Sequence, residues 1–187
     1  MKEKKKRLIT ISKDILEESQ KDKPEYWINI GGKRFKVLRG VFSPKYFKNT
    51  TKFFAENLPI LEDHKVLEIG TGTGIIAIIL AFRGAKNIVA TDINPTAVKN
   101  AKINVRLRRL QNKIKVIKSD VFDSIGKNKF DIIFWNVPFV YAKSKNGEPL
   151  ARAISDVKYS AVKKFFREAR SYLNEDGRVF FGFSKDI

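Results

Sequence analysis

A glycine-rich turn between two apolar segments constrains the fold of this chain more than any other feature. Residues 68–74 read Glu-Ile-Gly-Thr-Gly-Thr-Gly, after an apolar strand at 66–69 and before an apolar helix at 75–83. Glycine allows a tight turn and lets a ligand approach the backbone closely. A helix N-terminus also presents N–H groups that have no partner inside the helix. The pattern favours a ligand site, although a lone turn of this kind is also compatible with a purely structural role.

Strands and helices alternate along the sequence around this turn. Apolar strands are predicted at 66–69, 88–91, 114–117, 131–135 and 179–183, and the helices between them at 75–83, 95–107 and 158–173. Buried apolar strands separated by helices predict an α/β fold, with a parallel sheet and helices on both faces. Right-handed crossovers favour the strand order 3-2-1-4-5.

An N-terminal extension precedes this region. Residues 8–20 are predicted to form an amphipathic helix, and residues 26–38 a β-hairpin that turns at Gly31-Gly32. Another helix is predicted over 45–58, where Pro59 follows. We therefore divide the chain into an extension, 1–43, and a main domain, 44–187.

The charge of the chain favours a polyanionic partner. Lys and Arg number 38 against 20 Asp and Glu, which gives a formal net charge of +18 in 187 residues. RNA is the first candidate partner, and a lysine-rich genome composition is the alternative explanation. Basic residues cluster at 2–7, 33–39 and 106–115. The second cluster is interleaved with aromatic residues, which suits contact with RNA bases and phosphates.

Several classes of protein are disfavoured by composition. Cysteine is absent, which excludes disulfides and thiolate metal sites. No apolar run reaches 18 residues, and the basic N-terminus is not followed by an unbroken apolar stretch. Neither a membrane helix nor a secretory signal is therefore expected. We expect a cytoplasmic protein without a bound metal, since no cluster of metal ligands is evident.

The spacing of the glycines limits the classes of ligand that the turn is expected to bind. A nicotinamide-dinucleotide fingerprint would require glycine at positions 70, 72 and 75, but position 75 is Ile75. The segment instead has glycine at 70, 72 and 74, and Glu68 lies two residues before the first of them. An acidic residue at that position can hold a cationic amino-acid end of a ligand.

These residues resemble the motifs of class I S-adenosylmethionine-dependent methyltransferases. Residues 66–81 resemble the first motif, Asp92 follows 22 residues after Gly70, and Ser119-Asp120-Val121 follows the third strand. The resemblance implies that Asp92 accepts hydrogen bonds from the ribose hydroxyls, that Ile93 packs on the adenine and that Asp120 accepts from the adenine amino group. The implied cofactor-binding residues are Glu68, Gly70, Thr71, Gly72, Gly74, Asp92, Ile93, Asp120, Val121 and Asn136. The implied cofactor is S-adenosylmethionine, with S-adenosylhomocysteine (SAH) as the product.

The fourth strand ends in a second recognisable segment. Asn136-Val137-Pro138-Phe139 resembles the Asn-Pro-Pro-Tyr/Phe motif of amino-methyltransferases. In that family the Asn side-chain oxygen and the next backbone carbonyl accept hydrogen bonds from a substrate NH2 group, and the aromatic ring stacks on the planar group. Val137 departs from the pattern, but its carbonyl is still available. We expect these four residues to be catalytic, and a simple turn of the chain is the alternative.

The overall resemblance is to small methyltransferases and release-factor glutamine N-methyltransferases, and it covers residues 35–187. It implies methylation of a planar nitrogen, either a protein glutamine or the exocyclic amine of an RNA base. The alternative is a catalytically inactive methyltransferase-fold module that binds RNA or a protein partner. Residues 140–156 are expected to form a lid on the substrate side, and a solvated loop is the alternative.

The C-terminal end of the chain departs from this class. Class I methyltransferases usually continue past the fifth strand with an antiparallel hairpin, and this chain ends at Ile187. We expect that hairpin to be absent through truncation, which leaves 179–183 as an apolar edge strand. Natural proteins usually cover such an edge, so a partner or dimer contact at 179–183 is also expected.

Overall fold

A computed structural model of the chain describes residues 24–137 and 159–182. The predicted helix at 8–20 and the predicted lid at 140–156 lie outside the described residues. The first elements are an antiparallel hairpin of β1 (Glu25–Ile30) and β2 (Lys33–Leu38). Gly31 and Gly32 form its turn with positive φ angles of 57° and 70°, as the sequence predicts.

A five-stranded parallel sheet forms the centre of the molecule. The hairpin is followed by a 3-10 turn (Pro44–Phe47) and helix α1 (Lys48–Asn57). The remaining elements are β3 (Lys65–Ile69), α2 (Ile75–Phe82), β4 (Asn87–Asp92), α3 (Pro95–Leu107), β5 (Ile114–Lys118), β6 (Phe130–Asn136), α4 (Ser160–Glu168), a 3-10 turn (Ala169–Tyr172) and β7 (Leu173–Gly182). The strand order is β5-β4-β3-β6-β7, which confirms the predicted order.

The predicted last helix and last strand have different boundaries in the structure. Helix α4 ends at Glu168 rather than at residue 173, and β7 begins at Leu173 rather than at residue 179. Gly177, which precedes the predicted strand at 179–183, lies within β7. A Cβ atom on Gly177 would lie 2.8 Å from the Phe130 carbonyl oxygen, so glycine is needed there for close approach of two strands. The β6–β7 pairing shifts register between Phe130 and Ile132.

Apolar side chains fill both sides of the sheet. One core cluster joins the sheet to α1, α2, α3 and the hairpin, and it includes Phe35, Val37 and Leu80. A second cluster joins the other face to α4, and it includes Phe122 and Phe165. Helices therefore cover both faces, and the hairpin contributes to the first core. The predicted division at residue 43 stays a prediction.

Two buried asparagines of α3 attach the hairpin to the sheet layer. The Asn104 side chain accepts from the Lys36 N–H at 2.9 Å and donates to the Lys36 and Thr73 carbonyls at 2.8 Å each. Asn100 accepts from the Leu38 N–H at 2.8 Å and donates to the Lys36 carbonyl at 2.8 Å. Both side chains are buried, and buried polar groups of the backbone require such partners.

Replacing Asn104 by Ala should destabilise the fold. The substitution removes the side-chain partner of the Lys36 N–H and of the Thr73 carbonyl, while Asn100 still donates to the Lys36 carbonyl. We expect a loss of about 2–4 kcal/mol in the free energy of unfolding. Urea unfolding followed by circular dichroism measures the change. The exposed Asn112 provides the control, because Asn112→Ala should stay within about 0.5 kcal/mol of wild type. Equal losses in the two variants would contradict this role of Asn104.

Candidate active site

The glycine-rich turn lies at the carboxyl end of β3. Gly70, Gly72 and Gly74 have positive φ angles of 68°, 56° and 79°, a region that other residues seldom adopt. Gly74 is the N-cap of α2, and a Cβ atom there would lie 3.1 Å from Ala101 Cβ. A Cβ atom on Gly72 would meet nothing within 4 Å. The turn therefore packs closely on α3 at Gly74 and has open space at Gly72.

The buried carboxylate of Glu68 stabilises this turn. Glu68 is 2% exposed, and its Oε2 accepts from the Thr71 hydroxyl at 2.7 Å and from the Ala77 N–H at 3.1 Å. Ala77 lies in the first turn of α2, so the carboxylate satisfies one of the unpaired N–H groups of that helix. Burial raises the pKa of Glu68 from 4.5 to about 8, and the nearby charge of Asp92 adds to the rise.

Asp92 connects the end of β4 to the glycine-rich turn. Its Oδ2 accepts from the Gly72 N–H at 2.8 Å, and its Oδ1 accepts from the Asn94 N–H at 2.9 Å. Burial raises the pKa of Asp92, while hydrogen bonds from the N–H groups of Asn94, Gly72 and Ile93 oppose the rise. The side chain is half-buried. Each carboxylate oxygen can accept a further hydrogen bond, so Asp92 can still bind ligand hydroxyls.

The loop after β5 lies beside Asp92. The Ser119 N–H donates to the Asp92 carbonyl at 3.0 Å, and the Ser119 hydroxyl donates to the Val121 carbonyl and accepts from the Ser124 N–H, each at 3.0 Å. Val121 has a φ of 53°, which costs a β-branched residue about 1–3 kcal/mol. Its side chain packs in the second core cluster, whereas Asp120 and Ile93 are half-buried.

Asn136 lies at the carboxyl end of β6, beside the glycine-rich turn. Ile69 pairs with Trp135, so the next residues on the two strands, Gly70 and Asn136, are neighbours about 5 Å apart. The Asn136 side chain is exposed, while Val137 is buried in the second core cluster. Pro138 and Phe139 lie outside the described residues, so their catalytic role stays a prediction.

The sequence did not indicate that Gly182 and Phe54 lie near Asn136. Gly182 pairs with Asn136 across β6 and β7, and its carbonyl accepts from the Val137 N–H at 3.1 Å. A Cβ atom on Gly182 would lie 2.5 Å from Asn136 Oδ1 and 2.7 Å from the Phe54 ring. Glycine at 182 therefore leaves room for the Asn136 amide. A glycine within an apolar strand was the available signal, because it often marks a close approach.

The structure brings the predicted cofactor residues to one edge of the sheet. They lie at the carboxyl ends of β3, β4, β5 and β6, where ligands bind in open α/β sheets. Their contacts with a cofactor stay predictions. Among residues 24–137 and 159–182, no group of three or more acidic, His or Cys side chains is placed to hold a metal ion. The described helices are too short or too polar to cross a membrane.

Comparison with known proteins identifies the family. The family model for the methyltransferase small domain matches residues 32–186. The chain belongs to this family, whose members use S-adenosylmethionine. The chain spans about half or less of the length of the first curated relatives that it matches.

Two curated relatives and one solved structure illustrate the range of the family. A protein of Methanocaldococcus jannaschii named "Putative protein N5-glutamine methyltransferase" is 40% identical over 113 residues, which are 60% of this chain and 54% of that protein. The tRNA1(Val) (adenine(37)-N6)-methyltransferase of Actinobacillus pleuropneumoniae is 30% identical over 124 residues, which are 65% of this chain and 52% of that protein. The crystal structure of SMU.776, named as "a putative methyltransferase complexed with SAH", has a TM-score of 0.63 at 16% identity. The match covers 88% of this chain and 42% of that chain.

The raised pKa of Glu68 predicts a pH-dependent stability. The folded protein keeps this proton up to about pH 8, whereas the unfolded chain releases it near 4.5. The folded state therefore binds more protons in this window, and its stability falls as pH rises through it. We expect the free energy of unfolding of wild type, relative to Glu68→Gln, to decrease from about pH 4.5 to about pH 8 and then level off.

Urea unfolding of both proteins across this pH range tests the expectation. Glutamine keeps an acceptor for Thr71 and Ala77 but does not titrate. The exposed Glu175 gives the matched control, since Glu175→Gln should show no such trend. A difference between wild type and Glu68→Gln that is constant with pH would contradict the raised pKa.

Asp92→Ala should weaken cofactor binding. The substitution removes a charged acceptor for ligand hydroxyls and the hydrogen bond that fixes Gly72. We expect a loss of about 1.5–3 kcal/mol in the binding free energy of SAH, measured by isothermal titration calorimetry. Asp176→Ala, at an exposed position of β7, should bind SAH like wild type. Unchanged binding by Asp92→Ala would show that Asp92 does not contact the ligand.

Proposed function

We propose that this chain transfers a methyl group from S-adenosylmethionine to a planar amide or amino nitrogen. The observation that carries the proposal is the position of Asn136, at the end of β6 and beside the glycine-rich turn. The acceptor is a protein glutamine or the exocyclic amine of an RNA base. Both acceptors present an NH2 group on a planar carbon, and both classes occur in the names of the relatives.

The residues around the turn suit S-adenosylmethionine. The open space at Gly72 lets a ligand lie against the backbone, and Asp92 offers free acceptor positions to ribose hydroxyls. Glu68 places a buried carboxyl group behind the turn, and the cationic amine at the amino-acid end of a bound cofactor would favour its charged form. When bound, the cofactor supplies an electrophilic methyl group on a sulfonium.

Asn136 would bind and orient the acceptor. The lone pair of an amide or aryl-amine nitrogen is delocalised, so the nitrogen is a weak nucleophile. The Asn136 oxygen and the Val137 carbonyl would accept its two hydrogens, which aims the lone pair at the methyl group. Holding the reacting groups in line removes an entropic barrier, and the two oxygens stabilise the positive charge that develops on nitrogen.

The reaction requires no general base with a shifted pKa before the acceptor nitrogen attacks the methyl group. The acceptor nitrogen forms a bond to the methyl carbon as the carbon–sulfur bond breaks, and the sulfur keeps the electron pair. The nitrogen then releases one proton to solvent. SAH and the methylated acceptor are the products.

Asn136→Ala should separate catalysis from cofactor binding. We expect turnover to fall by about a hundredfold or more. The variant lacks the Asn136 oxygen that would accept a hydrogen bond from the nitrogen on which positive charge develops. SAH affinity should fall much less than turnover, because Glu68, Asp92 and the glycine-rich turn are unaltered. Asn112→Ala, at an exposed position away from the site, should keep both properties.

The first experiment uses S-adenosylmethionine with a labelled methyl group in a cell extract. Label that nuclease releases identifies an RNA acceptor, and label that only protease releases identifies a protein acceptor. Transfer that Asn136→Ala abolishes supports the proposal. Binding of SAH without any transfer by the wild-type chain would instead favour the inactive binding module.

A further inference from the structure

We propose that α3 and the outward face of the hairpin form an RNA-binding surface. We call this surface the α3–hairpin face, and it consists of Lys99, Lys102, Arg106 and Arg109 of α3 and its end, together with Trp27, Arg34 and Lys36 of the hairpin. The inference concerns binding and goes beyond the proposed methyl transfer. It holds whether or not the bound RNA is also the acceptor.

The first observation is a segment without acidic residues. All charged side chains between Asp92 and Asp120 are basic; they are Lys99, Lys102, Arg106, Arg108, Arg109, Lys113, Lys115 and Lys118. The chain as a whole has 20 acidic residues, so their complete absence from this segment is a local property. Elsewhere in the described residues, some basic side chains form ion pairs, such as those of Lys86 with Glu62 and Asp63.

Helical spacing gathers Lys99, Lys102 and Arg106 on the exposed side of α3, and Arg109 follows two residues after the helix ends at Leu107. Lys99, Lys102, Arg106 and Arg109 are all exposed, and residues spaced by three or four lie on one side of a helix. None of the four forms an ion pair with another residue of the described ranges. Like charges at this spacing destabilise a helix by a few tenths of a kcal/mol per pair. A polyanionic ligand would relieve that repulsion.

The second observation is an exposed indole among cations on the hairpin. Trp27 is 42% exposed, on the strand face that points away from the core. The Arg34 guanidinium lies 5.1 Å and the Lys36 ammonium 5.5 Å from its ring centroid. Lys36 is also paired with Glu25 at 2.7 Å, so Arg34 contributes most of the charge here. Cations beside an exposed aromatic ring suit phosphates and a stacked base.

The hairpin and α3 run side by side towards the candidate active site. Arg108 donates to the Arg34 carbonyl at one end, and Asn94 donates to the Gly40 carbonyl at 2.7 Å at the other. Arg34 and Leu38 are about 13 Å apart along β2, and Gly40 follows Leu38 by two residues. The Asn94 backbone N–H in turn donates to Asp92 Oδ1 at 2.9 Å. RNA bound along this surface would therefore extend to the edge of the cofactor site.

RNA fits this surface better than an acidic protein does. Charge alone would attract either, but the exposed Trp27 offers a flat surface on which a base can stack, worth about five- to a hundredfold in affinity. Arginine is also common here, and its planar guanidinium matches phosphate geometry. A polyglutamate chain carries the same sign of charge and has no base to stack.

The test measures binding of a fluorescein-labelled 20-nucleotide single-stranded RNA of mixed sequence by anisotropy. The variant Lys99→Gln/Lys102→Gln/Arg106→Gln should bind it about ten- to a hundredfold more weakly at about 50 mM salt, and its log–log salt slope should be smaller by about 2. Trp27→Ala should lose about fivefold or more at the same salt concentration. The control Lys127→Gln/Lys129→Gln/Lys163→Gln removes the same charge from exposed positions before β6 and on α4, and should lose less than about threefold.

Each outcome decides the inference. Equal binding by the α3 variant and its control overturns it, and so does equal affinity of the wild-type chain for RNA and for a 20-residue polyglutamate peptide. If Trp27→Ala binds RNA as tightly as the wild-type chain does, the hairpin is not part of the RNA-binding surface. The anisotropy assay contains no S-adenosylmethionine and measures RNA binding alone, so a failure of the proposed methyl transfer is distinguishable from a failure of this surface. Circular dichroism and SAH titration verify that every variant is folded.

Discussion

The hydrogen bonds of two carboxylates hold the glycine-rich turn in place, and the candidate site depends on them. Glu68 bonds forward to Thr71 and to the first turn of α2, while Asp92 bonds across from the neighbouring strand to the Gly72 N–H. Both acids are withdrawn from bulk water, and burial disfavours their charged forms. The same groups fix the backbone of the turn, in which the alternate residues Gly70, Gly72 and Gly74 have positive φ angles.

Much of this arrangement could be predicted from the sequence because it is local. The turn at 68–74, Asp92 and Asn136 each follow a strand directly, and a parallel sheet brings the carboxyl ends of its strands together. The alternation of apolar strands and helices also predicts the strand order, because crossovers between parallel strands are right-handed and connections are short. The comparisons confirm the family, while the individual contacts of these residues with cofactor and acceptor remain predictions.

Contacts between distant segments could not be predicted. Asn104 resembles any polar residue of an amphipathic helix in the sequence, yet it joins Lys36 and Thr73, which are 68 and 31 residues away. Gly182 resembles a weak position in a strand, yet it makes room for Asn136 beside Phe54. The length of β7 was also missed, because a glycine that permits close strand approach has the same sequence signature as one that ends a helix.

The pairing of Asn100 and Asn104 with β2 also determines where the length of this chain can change during evolution. A single inserted residue between Asn94 and Asn100 would rotate both asparagines by about 100° and shift them by about 1.5 Å, which would detach them from the strand. The Gly31-Gly32 turn has open space around it, since a Cβ atom at either glycine would meet nothing within 4 Å. Homologous chains should therefore differ in length at the tip of the hairpin, while the first two turns of α3 keep a constant number of residues.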